Sequence, residues 1–118
     1  MKHHKKGRTL GRKKGQRTAL LRSLARSLVM HEKITTTVAR AKELRPFVEE
    51  LVTRSKKADI ASRRLVFMRL GGSPATVKKL HDTLATRYAS RAGGYTRIIK
   101  LGPIGKRMVD SAVIEFIQ

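Results

Sequence analysis

Arg91, Gly93, Gly94, Tyr95 and Arg97 stand together in the stretch Ser-Arg-Ala-Gly-Gly-Tyr-Thr-Arg at 90–97. Two adjacent glycines permit positive φ and let a partner approach the backbone closely. Two guanidinium forks suit phosphate oxygens, and a ring beside them suits a base or ribose, as in many RNA loops. The competing reading is a structural turn with Tyr95 packed on a sheet. A second cluster opens the chain. Lys2, Lys5, Lys6, Arg8, Arg12, Lys13, Lys14 and Arg17 fall within the first seventeen residues, and the first acid is Glu32. Such a segment cannot bury enough apolar surface to offset its ordering entropy, so it is expected to order only against a dense polyanion. Each Lys or Arg that meets a phosphate releases a condensed counterion, which makes nucleic acid the expected partner. His3 and His4 in this setting suit stacking or hydrogen bonding to nucleic acid better than metal binding.

Catalytic patterns fail one after another. His31-Glu32 opens like a zinc-protease motif, but Thr35 stands where the second histidine is required. The run 102–107, Gly-Pro-Ile-Gly-Lys-Arg, is two residues too short for a phosphate loop, and Arg107 replaces the magnesium-holding Ser or Thr. The acids are scattered singly apart from Glu49-Glu50, so no acid–base pair is offered. Without cysteine there is no thiolate metal site, disulfide or thiol nucleophile. The reading is of a protein with no reaction, no cofactor and no small-molecule substrate.

The bulk charge agrees with a polyanionic partner. Twenty-eight basic residues against eight acids give a net charge of +20 over 118 residues. A hydrophobic content of 40% still allows one folded domain. No apolar run approaches the ~20 residues of a membrane span, and the start lacks the apolar middle of a secretory signal. A basic tail at 1–17 and a single domain at 18–118 are expected.

Periodicity supplies the elements. Leu20/Leu21, Leu24/Ala25 and Leu28/Val29 predict a helix over 18–30, with Arg22 and Arg26 sharing a face near Arg17 off the apolar stripe. The first helix is basic and amphipathic, but its stripe is read as core rather than as a membrane surface. Ile34-Thr35-Thr36-Thr37 is β-branched and predicts a short strand. A second helix over 38–56 has Thr36 or Thr37 as its cap and carries Pro46, which predicts a kink near 42–45. A third helix, capped by Asp59 and ended by Gly71-Gly72, is expected to turn Leu65, Met68 and Ile60 or Ala61 inward. Ser73-Pro74 starts a fourth, with Val77, Leu80/His81, Leu84 and Tyr88 buried. Period two then predicts strands over 96–101 and 108–117 around a turn at Gly102-Pro103-Ile104-Gly105, with Leu84, Ile99 and Ile114 in the core. The fold class is α+β: helix, strand, three helices, two strands, with a small three-stranded sheet covered by helices.

Several spaced motifs together resemble one family, the seventeenth large-subunit ribosomal protein of bacteria. They begin with Met1, His3, Lys5, Gly7, Leu10 and Arg12, and continue in Ile34-Thr35-Thr36-Thr37, Arg40-Ala41-Lys42-Glu43-Leu44 and Arg63-Arg64-Leu65. They end in Arg91-x-Gly-Gly-Tyr-Thr-Arg97 and the last strand, so the likeness spans the chain. The resemblance implies contact with 23S rRNA near the polypeptide exit of the large subunit, in the cytoplasm. It also implies neighbours such as the thirty-second large-subunit protein. It extends the interface to Thr35, Thr36, Arg40, Lys42, Arg63 and Arg64. The full expected rRNA-binding set is then Lys2, His3, Lys5, Lys6, Arg8, Arg12, Lys13, Lys14, Arg17, Arg22, Arg26, those six, Arg91, Tyr95 and Arg97. The family usually carries an Asn-Ser-Ser-His-like stretch where this chain has Lys13-Lys14-Gly15-Gln16, so phosphate contact is the expected role there. The alternative functions are a free RNA chaperone or translational regulator, and a DNA-architectural protein.

Overall fold

A computed structural model describes residues 14–57 and 59–118. Helix α1 runs over Lys14–His31, so it starts four residues before the expected boundary. The stretch 14–17 is helical rather than tail, because nothing between Lys13 and Thr18 breaks a helix outright. The Thr18 hydroxyl also donates to the Lys14 carbonyl at 3.0 Å. Glu32 ends the helix at φ 65, a left-handed stop usually given to glycine, and its carbonyl accepts from the Phe116 N–H. Strand β1, Lys33–Thr37, follows at once.

Thr37 caps α2, Val38–Ser55, by accepting from the Arg40 N–H at 3.2 Å. The expected stripe is the one buried, from Ala41, Leu44 and Val48 to Leu51, Val52 and Ser55, and the helix continues through Pro46. Asp59 caps α3, Ile60–Arg69, by accepting from Ser62 N–H at 2.7 Å. Its inward face departs from expectation. Val66 and Leu70 are buried, whereas Met68 and Ile60 are 68% and 69% exposed. Apolar residues occupy nearly every face of this short helix, so periodicity alone could not choose between them.

Gly71 and Gly72, at φ 73 and 79, turn the chain into α4, Pro74–Lys79. Ser73 sits at the cap position, but its hydroxyl meets Thr76 Oγ1 at 2.8 Å instead of a backbone N–H. A π-helical turn at Leu80–Leu84 then links α4 to α5, Ala85–Arg87. Val77, Leu80, Leu84 and Tyr88 are buried along this rod, as expected.

Strands β2, Thr96–Ile104, and β3, Val109–Phe116, form an antiparallel hairpin, and β3 also pairs with β1 in the order β1-β3-β2. Two expectations fail here. Strand β2 runs through Gly102-Pro103 to Ile104, so the reversal is at 105–108. An edge strand tolerates the proline, and a register shift between Lys100 and Gly102 absorbs Leu101 as a bulge. Ile99 is 45% exposed, because buried Thr96 sets the parity and leaves Ile98 to pack inward. Ala112, Ile114 and Phe116 put one face of the central strand into a core shared with α1, α2 and the α4–α5 rod. Among the described residues, no helix covers the opposite sheet face, where Ile99 and Val109 are exposed.

Candidate nucleic-acid interface

Glu32, Glu49, Glu50 and Glu115 are held in ion pairs within the fold. Glu32 holds Arg87 at 2.5 Å and Lys79 at 3.4 Å. The Arg87 hydrogen bond keeps this carboxyl below its usual range, against the opposing effect of burial. Glu50 takes Arg54 at 3.0 Å and Arg69 at 3.1 Å, joining α2 to α3. Glu49 accepts from the Thr96 N–H and hydroxyl while pairing with Arg45, which ties α2 to β2. Glu115 pairs with Arg97 at 2.7 Å across the sheet.

Further cations stand outside these pairs, with Asp82 on the groove of Arg63 and Arg64 and Asp110 on that of Lys42. Among the described residues, no acid lies within ion-pair distance of Arg22, Arg40, Lys42, Arg63, Arg64 or Arg91. Arg22 lies on α1 near the Gly71 turn, Arg40 and Lys42 on the first turns of α2, and Arg63 and Arg64 on α3. Arg63, Arg64 and Lys78 flank an open apolar groove floored by Phe67, Met68 and Val77. These positions form separate patches around the domain rather than one cluster. That distribution suits sequence-independent phosphate contact.

Other expected contacts sit differently. Arg26 is spent on the Leu70 carbonyl, with Nη1 donating at 2.8 Å. Arg91 is exposed and folds its Nε back onto the Gly93 carbonyl at 3.1 Å, and its own carbonyl accepts from Lys56 Nζ. Thr35 is exposed, but Thr36 alternates to the helix side of the sheet, opposite buried Ala112. Lys14 and Arg17 lie on the first turn of α1, while Lys2, His3, Lys5, Lys6, Arg8, Arg12 and Lys13 lie outside the described residues.

Tyr95 requires a correction. It is 1% exposed, its hydroxyl lies 3.1 Å from Thr53 Oγ1, and its ring packs 5.1 Å from Tyr88. Lys56 Nζ stands 4.6 Å over the ring, so the ring is already stacked within the protein. The structural reading of the Gly-Gly-Tyr turn is the correct one for this side chain. Lys106 and Arg107, read in the sequence only as the end of a failed phosphate loop, are not among the expected rRNA contacts. They occupy the exposed reversal between β2 and β3, and a basic pair bracketed by Gly105 and the next strand was the available signal.

Residues 20–117 match the family described as Ribosomal protein L17. The chain belongs to that family. The large ribosomal subunit protein bL17 of Sphingopyxis alaskensis is 51% identical over 118 residues, covering all of this chain and 84% of that protein. The bL17 proteins of Novosphingobium aromaticivorans and Erythrobacter litoralis are 49% and 46% identical over the same span, covering 83% and 84% of those chains. As a ribosomal protein L17 family member, the chain is a structural constituent of the large subunit, which is cytoplasmic in bacteria, and is not an enzyme.

Proposed function

We propose that this chain binds 23S rRNA by neutralising phosphates from several sides, and so holds RNA segments together in the large subunit. The observation that carries the reading is the division of charge. Glu32, Glu49, Glu50 and Glu115 serve ion pairs and Asp59 a helix cap within the fold, while, among the described residues, no acid stands within ion-pair distance of Arg22, Arg40, Lys42, Arg63, Arg64 or Arg91. Lys2, His3, Lys5, Lys6, Arg8, Arg12, Lys13, Lys14 and Arg17 add the densest cationic segment, and Thr35 adds an exposed hydroxyl. Arg97 contributes an exposed guanidinium whose Nε is anchored by Glu115. A position near the polypeptide exit, with the thirty-second protein as a neighbour, rests on the family resemblance. The domain boundary belongs near Lys14, with 1–13 as the RNA-binding arm.

Sedimentation tests the reading. Nearly all of the protein should travel with 50S particles at moderate salt, and cross-linking should recover 23S rRNA and the thirty-second protein. Recovery mainly with small RNAs or DNA would support the chaperone or architectural alternatives.

A further inference from the structure

Helix α3 turns large apolar side chains outward. Ile60, Phe67 and Met68 are 69%, 42% and 68% exposed, although the helix has only 10 residues. Spacings of three and four residues put them on the same side as Arg63 and Arg64. Pro74, Val77 and Lys78 of α4 form the opposite wall of a groove of about 620 Å³, and Asp82 also lines it. Apart from Val77, every lining residue is exposed, so a partner can reach the floor at Phe67 and Met68 and the cations at the rim. Gly72 leaves the Phe67 ring uncovered. A methyl group there would come within 3.6 Å of Cζ, and a φ of 79 reserves the position for glycine. Among the described residues, no acid lies within ion-pair distance of Arg63, Arg64 or Lys78.

An apolar floor with a cationic rim discriminates between partners. A basic or neutral protein segment leaves three cations uncompensated, and an RNA duplex offers phosphates but hides its base faces. An unstacked nucleotide supplies both, a π face for the floor and an anion for the rim. We propose that the groove between α3 and α4 receives one unstacked nucleotide of the bound RNA, its base lying on Phe67 and Met68 and its phosphate meeting Arg63, Arg64 and Lys78. The volume falls within the ~300–1,000 Å³ of small-ligand pockets. The groove is also continuous with Arg63 and Arg64, which the proposed rRNA-binding function already assigns to phosphate. The inference rests on that function and adds to it a place where the RNA is single-stranded. Stacking on Phe67 and Met68 reads no base edge, so any base serves. Asp82 repels a phosphate but accepts from a ribose hydroxyl, which keeps the phosphate with the three cations.

The test uses the full chain, a labelled mixed-sequence single-stranded ten-nucleotide RNA, and a long fully paired RNA duplex. Phe67→Ala, which removes the ring from an exposed position, should weaken single-strand binding about tenfold. Duplex binding and the salt slope of either RNA should be unchanged, since a lost stack releases no counterion. In the wild-type protein with methyl-labelled methionine, the Met68 methyl signal should move upfield with the single strand, through the ring current of the base, and stay still with the duplex. Equal weakening on both RNAs, no weakening, or a still Met68 methyl would overturn the inference, the last even if Phe67→Ala fails to fold. Movement with a short Leu- and Glu-rich helical peptide but not with RNA would overturn it in favour of an acidic protein partner. Movement as strong with AMP alone would overturn the RNA assignment in favour of a free nucleotide. Tight wild-type binding to 23S rRNA with any of these results would remove only the groove. Absence of that binding would remove the proposed function with it.

Discussion

Arg26 on α1 donates its Nη1 hydrogen to the carbonyl of Leu70, the residue that caps α3, at 2.8 Å. The guanidinium thus serves a buried helix end, and a methyl group added at Gly71 would come within 2.9 Å of it. Arg26→Ala is expected to cost about 1–3 kcal/mol of stability by leaving that carbonyl without a charged donor. Arg22→Ala, one turn away, should leave the melting temperature nearly unchanged and weaken RNA binding instead. Denaturant titration and filter binding on both variants separate the two roles, and the same ranking in both assays would refute the distinction.

Tyr95 yields the opposite pattern to the one its sequence context suggests. Tyr95→Phe should cost about 1 kcal/mol through the lost Thr53 contact, and Tyr95→Ala about 3–5 kcal/mol as a buried aromatic truncation. RNA affinity per folded molecule should be unaffected by Tyr95→Phe. A marked loss of affinity at unchanged stability would show that the ring leaves the core to meet RNA.

Arg91 and Arg97 flank the same turn but should respond differently. Arg97→Ala breaks an exposed cross-strand pair with Glu115, worth at most about 1 kcal/mol. Both variants should reduce RNA affinity, but only Arg97→Ala should also restore affinity when Glu115→Gln is added, because the unpaired carboxylate would otherwise repel phosphate. Anisotropy measured on the four proteins decides this.

Salt dependence measures the arm. With about eight to ten phosphates engaged, log K should fall against log salt with a slope of roughly −6 to −9. Deleting residues 1–13 should flatten it by several units while leaving the thermal melt of the domain in place. An unchanged slope would assign the phosphate contacts to the folded surface alone.

Glu32 sets a pH limit. Its carboxyl is held below the ordinary value by Arg87 first and then by Lys79, so the unfolded chain takes up the proton more readily. The stabilisation is therefore complete above the ordinary carboxylate pKa and is lost as pH falls through the lowered folded value. Glu32→Gln should flatten the stability profile in that acidic window and leave its shape near neutrality unchanged. Identical profiles would show that the pair contributes nothing.

Most of the architecture was legible because each element had an unambiguous local signal. The 3.6-residue stripe from Ala41 to Ser55, the Asp59 cap and the Gly71-Gly72 stop each allow one reading. Failures came where local rules were degenerate. Helix α3 is apolar on several faces, so tertiary packing chose Val66 over Met68. Gly102-Pro103 signals a turn in isolation, yet an edge strand with a bulge accommodates it. The site was legible in charge but not in partnership. Nothing local tells Arg26 or Arg97 that a carbonyl or carboxylate will be brought beside it by residues far along the chain, and only the fold supplies Leu70 and Glu115.

The strand order β1-β3-β2 has a consequence for biosynthesis. The middle strand is the last to be made, so β1 and β2 emerge with no neighbour and cannot pair until 109–116 are available. Helices α1, α2 and α3 can associate earlier through local contacts, but Ile34 and Ile98 wait with their apolar faces uncovered. The nascent chain therefore passes through a helical, sheetless stage in which its cationic N-terminal segment is already outside. On the proposed function, RNA would capture that segment before the domain closes, and late sheet closure would be the step at which binding and folding couple.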